Sequence, residues 1–268
     1  MPSIHPTAIV NSRADIADKV SIGAFTTIEA DVRIDEGTSI GPHCMIDNGA
    51  RIGKHCSIHQ GVVISTPPQD LKYSGERTEF ILGDNSTVRE YCTLNRGTTH
   101  SWKTVVGRDC LLMAYVHVAH DCVLGDNVII ANSTQMGGHC VIGDYAIIGG
   151  LVGIHQFSHI GAHVMVAAGC RVVKDIPPYI LVGGTPMRYE GLNSIGLRRR
   201  GFSREALDLL EQVYAAIYRR GMNVSQAVEW ISENLSRSTE VATVLAFIAG
   251  STRGIVKGTR STSRQPGT

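Results

Sequence analysis

Cut into sixes, the stretch from Val106 to Val172 reads VGRDCL LMAYVH VAHDCV LGDNVI IANSTQ MGGHCV IGDYAI IGGLVG IHQFSH IGAHVM VAAGCR V. Every group opens on an aliphatic residue or Met, and Gly often follows, as at Gly107, Gly125, Gly143 and Gly161. The same phase runs back to the start of the chain through Leu94, Val88 and Leu82, then Ile64, Ile58, Ile52, Ile46, Ile40, Ile34, Ile28, Ile22, Ile16, Val10 and Ile4. Between Ile4 and Val172 only Asp70, Glu76 and His100 break it, and all three fall in stretches of loop character, 65–80 and 96–103. Neither a helix period of 3.6 nor plain alternation produces a period of six. Short, fixed self-similarity of this kind marks a parallel β-helix. Each hexapeptide supplies a short strand and a turn, and three close one triangular coil. The aliphatic residue points inward and stacks on its counterparts one coil away.

A second row lies two residues before each aliphatic position. It holds Ala8, Ala14, Thr26, Thr38, Ala50, Ser86, Thr134 and Ala146, and all seven cysteines: Cys44, Cys56, Cys92, Cys110, Cys122, Cys140 and Cys170. This inward row takes small residues, so the cysteines read as core thiols rather than metal ligands. Stacking would let Cys92 face Cys110 and Cys122 face Cys140, but a reducing compartment disfavours bridges.

The composition agrees with a folded, turn-rich chain with a narrow core. Of 268 residues, 29 are Gly, 43% are hydrophobic and 6% aromatic. A net charge of +1 gives no sign of a nucleic-acid partner, and no apolar run reaches the ~18 residues of a membrane span. Met1-Pro2-Ser3-Ile4-His5-Pro6 does not read as a signal peptide, so the expected compartment is the cytoplasm. After Pro177-Pro178 the period changes. Ser203 to Arg220 reads as an amphipathic helix with Leu207, Leu210, Val213, Tyr214 and Ile217 on its apolar face, a Ser203 N-cap and Gly221 at its end. Val224 to Leu235 and Glu240 to Ala249 read as two more helices. The expected organisation is all-β then α: a β-helix over 1–190 with inserted loops at 65–80 and 96–103, a helical domain over 191–257, and a disordered tail over 258–268.

Where the repeat is uninterrupted, residues 18 apart lie above one another, so His120, Gly138 and Gln156 form one vertical line. His139 stands beside Gly138 and His155 beside Gln156, while His117 lies just outside the core position Val118. At ~4.8 Å per coil, three coils bring these groups to one outer corner within ~10 Å. A lone surface His needs no function, but a cluster on one corner suits general-base chemistry, because imidazole titrates near working pH. A Gly138 N–H one coil away suits an oxyanion. No Ser or Cys stands in a nucleophile motif, which favours direct transfer between two substrates. No carboxylate-supported His trio is evident at the expected spacing, so no metal and no cofactor are expected.

Seven segments together resemble the acyl-[acyl-carrier-protein]–UDP-N-acetylglucosamine O-acyltransferase family over nearly the whole chain. They are Ile4-His-Pro-Thr-Ala-Ile9, Gln69-Asp-Leu-Lys-Tyr73, Val118-Ala-His-Asp-Cys122, Ile154-His-Gln-Phe157, Asp175-Ile-Pro-Pro-Tyr179, Arg199-Arg-Gly-Phe-Ser-Arg204 and Ser251-Thr-Arg-Gly254. The resemblance implies a left-handed coil, a homotrimer, and transfer of a 3-hydroxyacyl group from acyl carrier protein to the 3-position of UDP-N-acetylglucosamine, the first step of lipid A biosynthesis. It makes His120 the general base, Asp70 the residue that orients it, Gly138 the oxyanion donor and Lys72 a substrate contact. It also matches His117, His139, His155 and Gln156 to sugar or acyl contacts, and Asn193, Arg199 and Arg200 to nucleotide and diphosphate contacts. Ala168 stands where a glycine often sets acyl length, and Ile195 where an acidic residue often meets the nucleotide. Ala168 lies 48 residues beyond His120, or ~13 Å along the axis, and on a different corner. Three other readings remain open at this point: a UDP-sugar N-acyltransferase or 3-amino-sugar variant, a zinc γ-carbonic anhydrase and a noncatalytic scaffold.

Overall fold

The computed structural model describes residues 1–258. The expected left-handed parallel β-helix is present, and its strands form three sheets of 11, 9 and 8 strands. The first sheet starts with Ser3–Ile4, the second with Ile9–Val10 and the third with Asp15–Ile16. The chain rounds a first corner from first to second sheet, a second corner from second to third, and a third corner back to the first. Most strands are two residues long and pair in parallel with the next coil, as in Ser3↔Ser21 and Ile4↔Ile22. The aliphatic row is the core: Ile28, Ile34, Ile46, Ile52, Ile64, Leu112 and Ile130 are all buried.

Most corner turns use a residue with positive φ, three places after the inward aliphatic residue, as at Asp121, His139 and Phe157. The inward small row does more than fit. Thr26 Oγ1 donates to the Gly41 carbonyl at 2.7 Å, Thr134 Oγ1 to Gly149 at 2.8 Å, and the Cys44 and Cys122 thiols to His59 and Gly137 at 3.0 and 3.3 Å. A small donor in this row therefore satisfies a corner carbonyl of the next coil, which explains Thr and Cys there beyond their size. All seven cysteines are buried free thiols.

The two inserts are shorter than expected. Strands run Val63–Thr66, Glu79–Leu82, Thr93–Asn95 and Lys103–Val106, which leaves loops at 67–78 and 96–102. Phe80, expected in a loop, is fully buried in a strand. Both loops leave the second sheet and return to the third, so both stand on the second corner. The phase survives them because they lengthen the coil by whole hexapeptides: Val63 pairs with Thr93 and Thr93 with His117.

The last parallel strand is Ile180–Gly183, and Arg188–Leu192 pairs with it in an antiparallel hairpin. Sheet structure thus passes the expected boundary at 190. Among the described residues four helices follow: α1 (Ser194–Arg199), α2 (Arg204–Tyr218), α3 (Val224–Asn234) and α4 (Thr239–Gly250). The short α1 was not foreseen. Ser203 caps α2 by accepting from the Ala206 N–H, and Leu210, Val213, Tyr214 and Ile217 are its buried face. After α4 the chain returns to the prism, where Asp175 bridges to Ile255 and Tyr189 to Gly258. Gly258, expected in the tail, is thus part of the fold, and the rest of that tail, 259–268, lies outside the described residues. Among the described residues no helix is long and apolar enough to cross a membrane.

Candidate active site

His120 follows the Val118 strand residue at the second corner, and its side chain is nearly buried. Its Nδ1 lies 2.7 Å from Asp121 Oδ2. Asp121 can turn back onto its own neighbour because it is the left-handed residue of the corner, a conformation Asp adopts more readily than most residues. Its carboxylate is fully enclosed by the second insert. Thr98 donates through its N–H at 3.1 Å and its hydroxyl at 2.7 Å, and Ser101 donates through both its N–H and its hydroxyl. Burial alone would raise the Asp121 pKa. The bonds from Ser101, His120 and Thr98 outweigh it and hold the carboxyl well below the usual range. A carboxylate at Nδ1 favours the tautomer that carries its N–H there and an accepting lone pair on Nε2.

The carboxylate bonded to His120 is that of Asp121, where Asp70 is the expected partner. Asp70 instead closes a turn in its own loop, where its Oδ1 accepts from the Lys72 N–H at 3.0 Å. That loop and the second insert line a groove of about 310 Å³ with Asp70, Lys72, Thr98, His100, His139 and Phe157.

Gly138 lies one coil above His120. A Cβ built on it would stand 2.6 Å from His120 Cε1 and 2.8 Å from Nε2, so only glycine lets the imidazole lie there. The Gly138 N–H meets no acceptor among the described residues. His139 stacks on Phe157 with ring centres 4.3 Å apart and stands edge-on to His120 and His100. Its Nδ1 is buried without a hydrogen-bond partner. Burial lowers the His139 pKa, Asp121 opposes this, and His120 and His100 add to it, so His139 sits below the ordinary imidazole value. His117 Nδ1 is 2.8 Å from Thr93 Oγ1, and burial lowers its pKa too. His155 and Gln156 are exposed at the same corner, with His155 Nδ1 3.0 Å from the Gln156 carbonyl oxygen.

His120, Asp121 and His139 form a cluster of two imidazoles and one carboxylate whose ligand atoms lie within 4.8 Å of one another. The carboxylate already accepts from five donors, more than its roughly four lone-pair directions, so a metal would have to displace them. The cluster fits a hydrogen-bonded base better than a ligand set.

Other expected site residues stand elsewhere. Asn193 caps α1 and donates to the His163 carbonyl at 2.9 Å. Arg200 packs over Tyr145, 5.1 Å from its ring centre, and Arg199 is exposed nearby. Tyr145 and His163 lie in third-corner turns. Ala168 is exposed at the first corner, and Ile195 is exposed on α1. One chain thus spreads these residues over three corners. Asp121, Thr98, Ser101 and His100 were missed as site residues. Two signals pointed to them: the carboxylate next to His120, and the break in phase at His100.

Residues 31–66 and 103–138 match the family model described as bacterial transferase hexapeptide (six repeats). Residues 175–256 match the model described as UDP N-acetylglucosamine O-acyltransferase, domain 2. A protein from Chlorobaculum parvum named acyl-[acyl-carrier-protein]–UDP-N-acetylglucosamine O-acyltransferase is 52% identical over 255 residues, covering 95% of this chain and 97% of that one. One of the same name from Leptothrix cholodnii is 45% identical over 264 residues, covering 96% and 100%. The crystal structure of LpxA, a UDP-N-acetylglucosamine acyltransferase from Bacteroides fragilis, superposes with a TM-score of 0.93 at 43% identity, covering 94% of this chain and 99% of that one.

Proposed function

The chain belongs to the acyl-[acyl-carrier-protein]–UDP-N-acetylglucosamine O-acyltransferase family, and on that premise we propose how its second corner works. The protein is an acyltransferase that moves a 3-hydroxyacyl group from acyl carrier protein to the glucosamine 3-position of UDP-N-acetylglucosamine, at the start of lipid A biosynthesis. His120 Nε2 takes the proton of the 3-hydroxyl as that oxygen attacks the thioester carbonyl. Asp121 steadies the imidazolium that forms, and the Gly138 N–H donates to the tetrahedral oxyanion. Collapse expels the carrier's thiolate, which recovers the proton from His120. The observation that carries this reading is His120 fixed by Asp121 with its imidazole packed against Gly138.

Asp70, Lys72, His117, His139, His155 and Gln156 hold the sugar and acyl groups, while Asn193, Arg199 and Arg200 hold the nucleotide and diphosphate. Arginine suits the diphosphate through its fork of donors. The working form is a cytoplasmic homotrimer. Two features support the trimer: the spread of site residues over three corners, and a ridge of exposed Phe25, Tyr91, Tyr115 and Leu151 on the first corner.

The test is to supply purified protein with 3-hydroxyacyl carrier proteins of several lengths and with UDP-N-acetylglucosamine or its 3-amino analogue. An O-acylated product from the first sugar is expected. Product from the amino sugar alone would make the chain an N-acyltransferase, and no product from either would end the reading.

A further inference from the structure

The first insert carries Asp70 and Lys72 to the groove but has no core of its own, and Leu71 and Lys72 at its tip are exposed. Its inner turn is closed by Asp70, whose carbonyl also accepts from the Tyr73 N–H at 3.1 Å. The grip on that turn comes from the second insert. Arg96 Nε and Nη2 donate to Tyr73 Oη at 3.1 and 3.0 Å, and the guanidinium stands 5.7 Å from the centre of the Tyr73 ring. Tyr73 in turn donates its hydroxyl to the Glu76 carbonyl at 2.8 Å. The remaining nitrogen of Arg96 binds the prism itself, donating to the Asn48 and Ser65 carbonyls at 3.0 and 2.9 Å, with Asp47 3.5 Å away as counter-charge. Asn95 beside it donates to the Thr66 and Pro67 carbonyls where the loop begins.

The Arg96 side chain is only 14% exposed. Closing a coil does not require a buried cation, and desolvating one is costly, so its benefit lies in the conformation it specifies rather than in stability. Here that conformation is the place of the Asp70–Tyr73 turn. The same insert holds Asp121 through Thr98 and Ser101, so one seven-residue loop (96–102) fixes the base at one end and the substrate loop at the other.

We propose that Arg96, acting through Tyr73, is a positioning residue that sets Asp70 and Lys72 against the His139 side of the groove. This rests on the assignment of Lys72 and Asp70 as substrate contacts. Tyr73→Phe keeps the ring and removes the link, while Arg96→Lys keeps a cation and removes the fork.

In both variants, trypsin cleavage after Lys72 in the native protein rises by about tenfold, as expected when a local opening becomes about tenfold more populated, with other cleavage sites unmoved. The KM for UDP-N-acetylglucosamine rises by about tenfold, kcat stays within about threefold, and the pH profile set by His120 does not move. Lys72 cleavage and KM both unchanged in Tyr73→Phe would overturn the proposal. So would a fall in melting temperature without either change. The cleavage measurement does not depend on turnover. If the wild-type protein acylates no UDP-sugar, the functional assignment fails while the loop result stands.

Discussion

The first and second corners share one backbone device. Tyr91, Tyr115 and Leu151 on the first occupy the same left-handed position as Asp121, His139 and Phe157 on the second. Their surroundings differ. On the first corner nothing among the described residues covers these side chains, and Tyr91 stacks on Tyr115 with ring centres 5.4 Å apart in the open. On the second corner the insert at 96–102 closes over Asp121, though Phe157 stays exposed, so polar groups that would otherwise be solvated become a buried His–Asp pair. Chemistry arises where a repeat is interrupted and covered. Where it is left bare, we propose that association surface arises.

The contrast is broken most severely by removing the base. His120→Ala is expected to cut kcat by about 10²–10⁴, the range for a lost general base, while leaving assembly intact. Near-normal turnover in the purified variant would remove His120 from the mechanism. Asp70→Ala is expected to cost less than His120→Ala, because Asp121 keeps the base oriented; steady-state kinetics on both variants checks the order.

On the other corner, Tyr115→Asp should leave the His120 corner folded but weaken assembly. Sedimentation is expected to show a shift from trimer to smaller species, with activity falling in step. A fully active monomer would refute the shared site. The smallest effect concerns acyl length. Ala168→Gly opens room for one methyl group, and if two more methylenes of the donor become buried, about 1.6 kcal/mol follows, or roughly fifteen-fold in selectivity for longer chains. An unchanged preference in competition between donors would show that position 168 is not the ruler.

The sequence is most legible where the core repeats. The aliphatic row is read directly because every coil must bury the same position, and the phase survives the inserts because they add whole hexapeptides. His120, Gly138 and Gln156 are likewise placed by counting in eighteens. What counting misses depends on the inserts. The hydrogen bonds to Asp121 come from Thr98 and Ser101, whose loop has no period, so adjacency to His120 looks incidental until that loop is folded. Arg96 is hidden for the same reason. The α1 helix escapes because six residues containing Gly196 carry too few apolar repeats to register. Asn193 and Arg200 are visible as residues, but their third-corner placement depends on packing against His163 and Tyr145.

One working site is proposed to combine corners of different chains. Subunits carrying His120→Ala and subunits carrying Arg200→Ala, each impaired alone, can be mixed, unfolded and reassembled together. Hybrid trimers are expected to regain activity well above either parent, because some clefts pair an intact His120 corner with an intact Arg200 corner. Hybrid trimers that form, as shown by native mass spectrometry, yet stay as inactive as their parents would contradict the account.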